Sequence, residues 1–293
     1  MDISGFGFES TAEEVTEGLD LTGKTFVVTG CNSGLGLETM RVLGSRGAHI
    51  VGAARTSDKA AAAIASTGVS GTPVACELSE PASVRACAAS LGELGKPVDG
   101  LVCNAGIMAL PEARSSHGLE LQFLTNHIGH FILVTESLDA LADDGRVVVL
   151  SSGAHHMAPE AGIELDNLSG ERDYEPWKMY GQSKLANILF AKQLAGRFAG
   201  SGRTANALHP GVIRTNLVRH IENPDAMLST MKLKSIPQGA ATQCLVAARP
   251  EVAEVTGQYF SDCQVAKTHP RAEDVALAEQ LWARSEEIAA SLN

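Results

Sequence analysis

The stretch Lys24–Gly36, KTFVVTGCNSGLG, decides the fold. Its first half is a short run rich in β-branched residues that closes on Gly30, the pattern of a buried strand ending in a tight turn. Directly after it, GLETMRVLGSRGA repeats apolar residues at helical spacing. Strand, glycine turn and helix in that order open a βαβ unit. Gly30 permits the turn, Gly34 lets backbone approach a phosphate, and Gly36 lets the helix lie close to the sheet. The helix N-terminus then offers N–H groups and the positive end of its dipole to an anion. Asn32 and Ser33 can add hydrogen bonds, and Leu35 belongs to the same turn, so Gly30–Gly36 is a candidate nucleotide cradle.

Outward from this turn, apolar runs alternate with helical patterns. HIVGAAR (49–55), TPVACEL (72–78), VDGLVCNAG (98–106), GRVVVLSS (145–152), RTANALHPG (203–211) and GQYFSD (257–262) read as further strands. Between them, SDKAAAAIAS, PASVRACAASLGEL and GLELQFLTNHIGHFILVTESLDALA read as helices, the last as one long helix over 118–142. WKMYGQSKLANILFAKQLAGRFA and the tail EDVALAEQLWARSEEIAASL complete the set. Strands apolar throughout, alternating with helices, predict a single α/β domain over 23–293: a Rossmann-type, doubly wound parallel sheet with helices on both faces. Residues 1–22 form an acidic arm, where Ser10/Glu13 and Thr11/Glu14 have capping-box spacing and predict a short helix near 11–17. The irregular stretches 153–173 and 212–236 have the length of substrate loops.

Composition narrows the function. At 44% hydrophobic and 19% charged, the 293 residues are globular, and a formal charge of −11 leaves no basic surplus for nucleic acid. Six cysteines show no C-x-x-C pair or zinc-like spacing, which predicts no metal site and a reducing, cytoplasmic location. No signal-peptide pattern opens the chain, and no apolar run is long enough for a membrane span.

Further motifs follow the glycine turn in order. Thr29-Gly30 to Gly34-x-Gly36 has the spacing T-G-x-x-x-G-x-G, and Asn104-Ala105-Gly106 follows the fourth strand. Ser151-Ser152 follows the fifth, Tyr180-x-x-x-Lys184 lies in the next helix, and His209-Pro210-Gly211-Val212-Ile213-Arg214-Thr215 follows the sixth strand. Over roughly residues 23 to 262 the chain resembles the short-chain dehydrogenases/reductases. The phrases NHIGHF, SSGAHH and KLANILF look like the branch of retinol dehydrogenases, WW-domain oxidoreductase and protochlorophyllide reductase. The resemblance implies a nicotinamide cofactor held by Gly30–Gly36, Asn104–Gly106, Tyr180, Lys184, Pro210–Ile213 and Thr215, with Thr215 at the carboxamide. An NAD enzyme carries a carboxylate at the end of the second strand. Here Arg55 stands there, and its planar fork suits a 2′-phosphate. NADP(H) is therefore expected, with NAD(H) as the alternative. Glu77-Leu78 occupies the adenine position, where the family usually has Asp before Leu.

The segment YEPWKMYGQSK (174–184) holds Y-x-x-x-K twice. Phenol and ammonium must share one face of a helix. Pro176 interrupts the pair Tyr174/Lys178 and suits a first helical turn, so the helix is predicted to begin near Pro176 or Trp177 with Tyr174 outside it. Tyr180/Lys184 lies in unbroken helix. A phenol titrates near 10. A lysine charge about 4 Å away is worth roughly 4 kcal/mol at an effective dielectric of 20, enough to bring Tyr180 near neutral pH. The resemblance further implies that Lys184 holds the nicotinamide ribose, that Ser152 rather than Ser151 binds the substrate oxygen, and that Asn126 kinks its helix and holds a relay water. His127, His130, His155, His156 and His209 read as packing or rim residues.

The expected activity is NADP(H)-dependent interconversion of an alcohol and a carbonyl, with Tyr180 as general acid/base. Carbon–carbon double-bond reduction and a low-turnover NADP(H)-binding regulator are the alternatives. Met108, Met157, Leu217, Val218, Met227, Leu228, Met231 and Leu233 are candidate walls of a pocket for a hydrophobic or aromatic small molecule. The resemblance implies pairing through helices near 117–142 and 176–200, and the second is apolar on several faces, which suits burial on both sides, so a homodimer or homotetramer is expected.

Overall fold

The chain is described by a computed structural model over residues 5–215, 217, 221 and 223–292. Val218 and the side chain of Met227 lie outside the described residues.

Strand β1 (Thr25–Thr29) is buried at every position. Its side chains divide between two cores: Val27 packs into one, Phe26 and Val28 into the other. The same division recurs in the long central strand, where Val147 and Val149 face one core, Val148 and Leu150 the other. Period-two alternation between two apolar layers is what a sheet covered on both faces requires.

The remaining strands are β2 (His49–Ala54), β3 (Gly71–Ala75), β4 (Val98–Cys103), the hairpin β5 (Ser115–Ser116) and β6 (Leu119–Glu120), β7 (Leu141–Leu150), β8 (Thr204–His209), β9 (Val212–Ile213), β10 (Leu233–Lys234), β11 (Tyr259–Ser261) and β12 (Gln264–Val265). Eight of them form the main sheet in the order β12-β11-β8-β7-β4-β1-β2-β3. Every pairing in it is parallel except β11 with the edge strand β12. Strand order reverses between β1 and β4, so a crevice opens beyond their carboxyl ends.

The helices are α1 (Ala12–Val15), α2 (Gly34–Ser45), α3 (Ser57–Thr67), α4 (Pro81–Gly92), α5 (Leu121–Phe123), α6 (Gly129–Glu136), α7 (Pro176–Arg197), α8 (Pro224–Leu228), α9 (Ile236–Ala248) and α10 (Val275–Ser291). Residues of α1, α2, α3 and α9 join one core; residues of α4, α5, α6, α7 and α10 join the other. The acidic arm is part of this packing. Thr11 and Glu14 close the expected capping box, and Ala12, Val15 and Leu21 are buried in the same core as Val28 and Met40.

Three elements differ from the sequence reading. The expected helix over 118–142 is shorter and interrupted. His117 and Gly118 both adopt positive φ (53° and 74°), which turns Ser115–Glu120 into a tight hairpin. Helix begins only at Leu121, passes through a π-helical turn at Leu124–Ile128, and ends at Glu136; Leu141 already belongs to β7. Helix α9 was missed. Its Ser235/Gln238 capping box is legible, but the helix is buried nearly all round and shows no polar stripe.

The third difference concerns α7. Part of its apolar surface packs against α10 of the same chain, a contact the sequence reading did not contain. Phe190 stacks on Trp282 with ring centroids 5.7 Å apart, Phe131 meets Trp282 edge-on at 5.0 Å, and His127 Nε2 hydrogen-bonds Ser285 Oγ at 2.9 Å. Truncating Trp282 to alanine would open a cavity costing roughly 3–5 kcal/mol.

Candidate active site

Helix α7 begins at Pro176, as the sequence reading predicts. The Glu175 carboxylate accepts hydrogen bonds from the Trp177 N–H (3.1 Å) and the Lys178 N–H, capping the first turn. Tyr174 therefore stays outside the helix. Its hydroxyl donates to the Leu110 carbonyl at 2.7 Å, and Lys178 pairs with Glu164 at 2.8 Å. Tyr180 and Lys184 lie one turn apart inside the helix and are only 3% and 4% exposed.

The strand end of β7 meets this face of α7. Ser151 is buried and its hydroxyl donates to the Lys184 carbonyl at 2.7 Å, so it is committed to holding strand and helix together. Ser152, next along, keeps its hydroxyl at the phenol of Tyr180. The Leu150 carbonyl accepts from Lys184 Nζ (3.1 Å) and Asn187 Nδ2 (2.9 Å). This anchors the amine with no carboxylate beside it among the described residues.

Burial decides the charge states. It pushes the Tyr180 phenol up to about 12, against a lowering hydrogen bond from Ser152. It pushes Lys184 down to about 8. Burial is the larger influence on the phenol, and the Lys184 amine lies 5.6 Å from the Tyr180 ring centroid.

Asn126 sits in the π-helical turn, fully buried. Its Oδ1 accepts from the Ile107 N–H and its Nδ2 donates to the Ile107 carbonyl, both at 2.9 Å, while Nδ2 also reaches Ser183 Oγ at 3.0 Å. The side chain is thus spent on bracing the loop after β4. A Cβ on Gly106 would lie 3.0 Å from Asn126 Oδ1 and 3.5 Å from Lys184 Nζ, so this loop runs directly between the two residues.

Three histidines are committed to hydrogen bonds within the fold. Asn126's carbonyl accepts from His130 Nδ1 (3.1 Å), which leaves Nε2 to accept from Thr29 Oγ1 (2.9 Å). Thr29 Oγ1 in turn accepts from the N–H groups of Asn104 (2.9 Å) and Ala105 (3.0 Å). His155 accepts at Nε2 from the His269 N–H (3.0 Å) and donates from Nδ1 to the Ser152 carbonyl (2.6 Å). Burial lowers His130 and His155 to about 4, so both are neutral at pH 7. His209 Nδ1 accepts from the Gly153 N–H at 3.1 Å.

The glycine turn fits a dinucleotide. Asn104 Nδ2 donates to the Thr29 carbonyl at 2.8 Å, joining the ends of β4 and β1. A Cβ on Gly36 would lie 2.3 Å from the Gly30 carbonyl oxygen and 2.5 Å from Asn104 Nδ2, so only glycine allows the helix this close. Gly34 has φ +55, and a Cβ there would lie 3.5 Å from Thr215 Cγ2, so the 211–215 segment faces the glycine turn. Ser33, the N-cap of α2, makes no side-chain capping bond, which leaves the first N–H groups for an anion. Val212–Ile213 is held by pairing with Leu233–Lys234, and Gly239 of α9 packs against Ile213 and Leu35. Arg55 is exposed just past β2, while the Glu77 carboxylate bonds the Ser79 hydroxyl at 3.0 Å, with Leu78 buried beside it.

Tyr180 shares a small apolar cluster with Met108 and Ala109, flanked by Ala154, Trp177, Leu217 and Ile221. Of the expected pocket residues, Met108 and Leu217 are there. Leu228 is buried, and Met157, Met231 and Leu233 are exposed. The sequence reading missed Trp177, Ala109 and Ile221. Trp177 stands three residues before Tyr180, a helical spacing that could have been used; its ring meets Tyr180 edge-on at 6.1 Å. Among the described residues no helix is long and apolar enough to cross a membrane.

Known proteins agree with this geometry. The short chain dehydrogenase family matches residues 24–226. Short-chain dehydrogenase TIC 32 A, chloroplastic, from Brassica napus is 42% identical, covering 99% of this chain and 96% of its own. Retinol dehydrogenase 14 from Homo sapiens is 36% identical over 90% of this chain and 85% of its own. A crystal structure of an uncharacterized protein from Mycobacterium paratuberculosis superposes with a TM-score of 0.78 at 34% identity, covering 94% of this chain and 97% of that one. With the strand–turn–helix cradle, the parallel sheet and the family match in agreement, the chain belongs to the short-chain dehydrogenases and is an NAD(P)-dependent oxidoreductase of that family.

Proposed function

We propose that this chain interconverts an alcohol and a carbonyl with NADP(H), Tyr180 exchanging the proton. The observation that carries the reading is a buried phenol and a buried amine one helical turn apart, with the Ser152 hydroxyl on the phenol. A bound nicotinamide supplies or accepts the hydride. Ser152 orients the substrate oxygen and steadies charge growing on it. Tyr180 gives its proton to that oxygen in reduction and takes it back in oxidation. Lys184, fixed by the Leu150 carbonyl, supplies positive charge beside the phenolate and would hold the nicotinamide ribose. Asn126 braces the loop beside Lys184 through Ile107, and its main-chain carbonyl accepts from His130 Nδ1.

The exposed guanidinium of Arg55 past β2 supports NADP(H) over NAD(H). The cluster of Met108, Ala109, Trp177, Leu217 and Ile221 supports a hydrophobic or aromatic substrate. Six free, buried cysteines support a reducing compartment. A panel of carbonyls with NADPH consumption and product analysis tests the reading. Carbonyl-to-alcohol products with NADPH preferred over NADH sustain it, and saturated products from enones alone replace it with double-bond reduction. In that assay Arg55→Ala should raise the KM for NADPH about 10–100-fold, the scale of a charge-assisted contact, and leave NADH nearly unchanged.

A further inference from the structure

The pocket wall beside Tyr180 is held in an unusual backbone conformation. Ala109 lies in the left-handed region, with φ +48, although it carries a side chain. Such a conformation costs on the order of 1 kcal/mol and persists where the surroundings over-determine it. Here they do. The Ala109 N–H donates to Gln122 Oε1 at 2.7 Å. Gln122 Nε2 donates to the Pro176 carbonyl at 3.3 Å and to Tyr174 Oη at 3.4 Å. Tyr174 Oη donates to the Leu110 carbonyl at 2.7 Å, closing the ring of contacts on the residue after Ala109. Gln122 is fully buried, and the three elements it joins are the loop after β4, the start of the helical run and the residues just before α7.

We propose that Gln122 and Tyr174 form a latch that fixes Met108–Ala109 against Tyr180 and so selects substrates by the bulk of their apolar part. Gln122 and Tyr174 are positioning residues: the wall they shape is Met108 and Ala109, which share a cluster with the phenol. With the latch closed, the wall presents one fixed surface to the flat or branched carbon skeleton next to the reacting carbon. With it open, Ala109 relaxes toward ordinary backbone angles and Met108 moves with it. Small substrates that do not reach the wall are indifferent to the change. This inference rests on the carbonyl-reductase reading of Tyr180 for its substrate, but not for its geometry.

Two measurements test it on the full-length chain. The first is hydrogen exchange, which requires no turnover. In Tyr174→Phe the Ala109 amide should exchange at least fivefold faster than in the parent, while the Ile107 amide, bonded to Asn126, keeps its protection. Equal protection of Ala109 in both proteins overturns the latch. The second is steady-state kinetics with NADPH on an aryl ketone and a short aliphatic aldehyde. Tyr174→Phe should raise KM for the aryl ketone about five- to tenfold relative to the aldehyde, the scale of one lost hydrogen bond, with kcat for each within twofold and an unchanged pH profile. A common factor on both substrates, or a loss confined to kcat, overturns the selective role. Tyr180→Phe, run alongside, isolates the underlying reading. If it still turns over, the acid/base assignment fails while the exchange result continues to decide the latch.

Discussion

Tyr174/Lys178 and Tyr180/Lys184 share one spacing and have opposite surroundings. Lys178 is matched by the Glu164 carboxylate at 2.8 Å; among the described residues, buried Lys184 bonds the Leu150 carbonyl and has no carboxylate beside it. Tyr174 gives its hydroxyl proton to a backbone carbonyl, whereas Tyr180 shares its hydroxyl with a serine side chain. A paired lysine and a phenol bonded to backbone are a structural arrangement. An unpaired buried lysine costs stability, and chains keep such a cost where chemistry uses it. The spacing alone does not separate the two pairs. Pro176 does, by setting where the helix starts.

The largest expected effect is on activity. Tyr180→Phe should lower kcat about 10²–10⁴-fold on any confirmed substrate, the range for a lost general acid/base. An equal fall in Tyr174→Phe would erase the distinction between the pairs. Lys184→Met should lose activity on a similar scale yet unfold at a higher temperature. Burial holds Lys184 at about 8 rather than its ordinary 10.5, a cost on the order of 3 kcal/mol when it is charged. The Leu150 carbonyl keeps Asn187 as a partner, so the variant should gain about 1–3 kcal/mol net.

The pH dependence has a definite sign. Between about 8 and 10.5 the unfolded chain holds a proton on Lys184 that the folded chain has released. Parent stability therefore rises with pH through that window and is lost again as pH falls through about 8. The thermal advantage of Lys184→Met should be greatest below pH 8 and shrink toward pH 10; an advantage independent of pH would mean the amine is not desolvated. The smallest effect belongs to the other pair. Lys178→Met should change kcat/KM less than twofold and cost about 0.5 kcal/mol, since its ion pair is partly solvated.

Much of this molecule is legible in its sequence because the relevant signals are local. Apolar runs ending in glycine mark β1 and β4, Pro at the first helical turn marks α4 and α7, and the Thr11/Glu14 box marks α1. What escaped depends on contacts between distant segments. Helix α9 is apolar on nearly every side because sheet, glycine turn and arm all press on it, so no amphipathic stripe announces it. The packing of α10 on α7 joins segments some eighty residues apart, so no local pattern marks it. The surroundings of Tyr180 are illegible for the same reason. A pairwise attraction can be computed from spacing, but the loss of water around both groups depends on everything packed against them.

The π-helical turn at Leu124–Ile128 sets two jobs on one helical run. Such a turn accommodates one residue more than an α-turn, and one residue is about 100° of rotation. The turn absorbs the extra residue, so Glu120 and Gln122 before it keep their faces relative to His130 and Phe131 after it. Upstream, the run holds Ala109 beside Tyr180; downstream, it reaches Thr29 at the end of β1 and Trp282 of α10. Deleting a single residue within 124–128 would close this turn to an ordinary α-turn and leave both flanks on their present faces. The loss would fall on the turn itself, where Asn126 braces Ile107. The extra residue adds a side chain for the loop after β4 without disturbing the helix faces on either side.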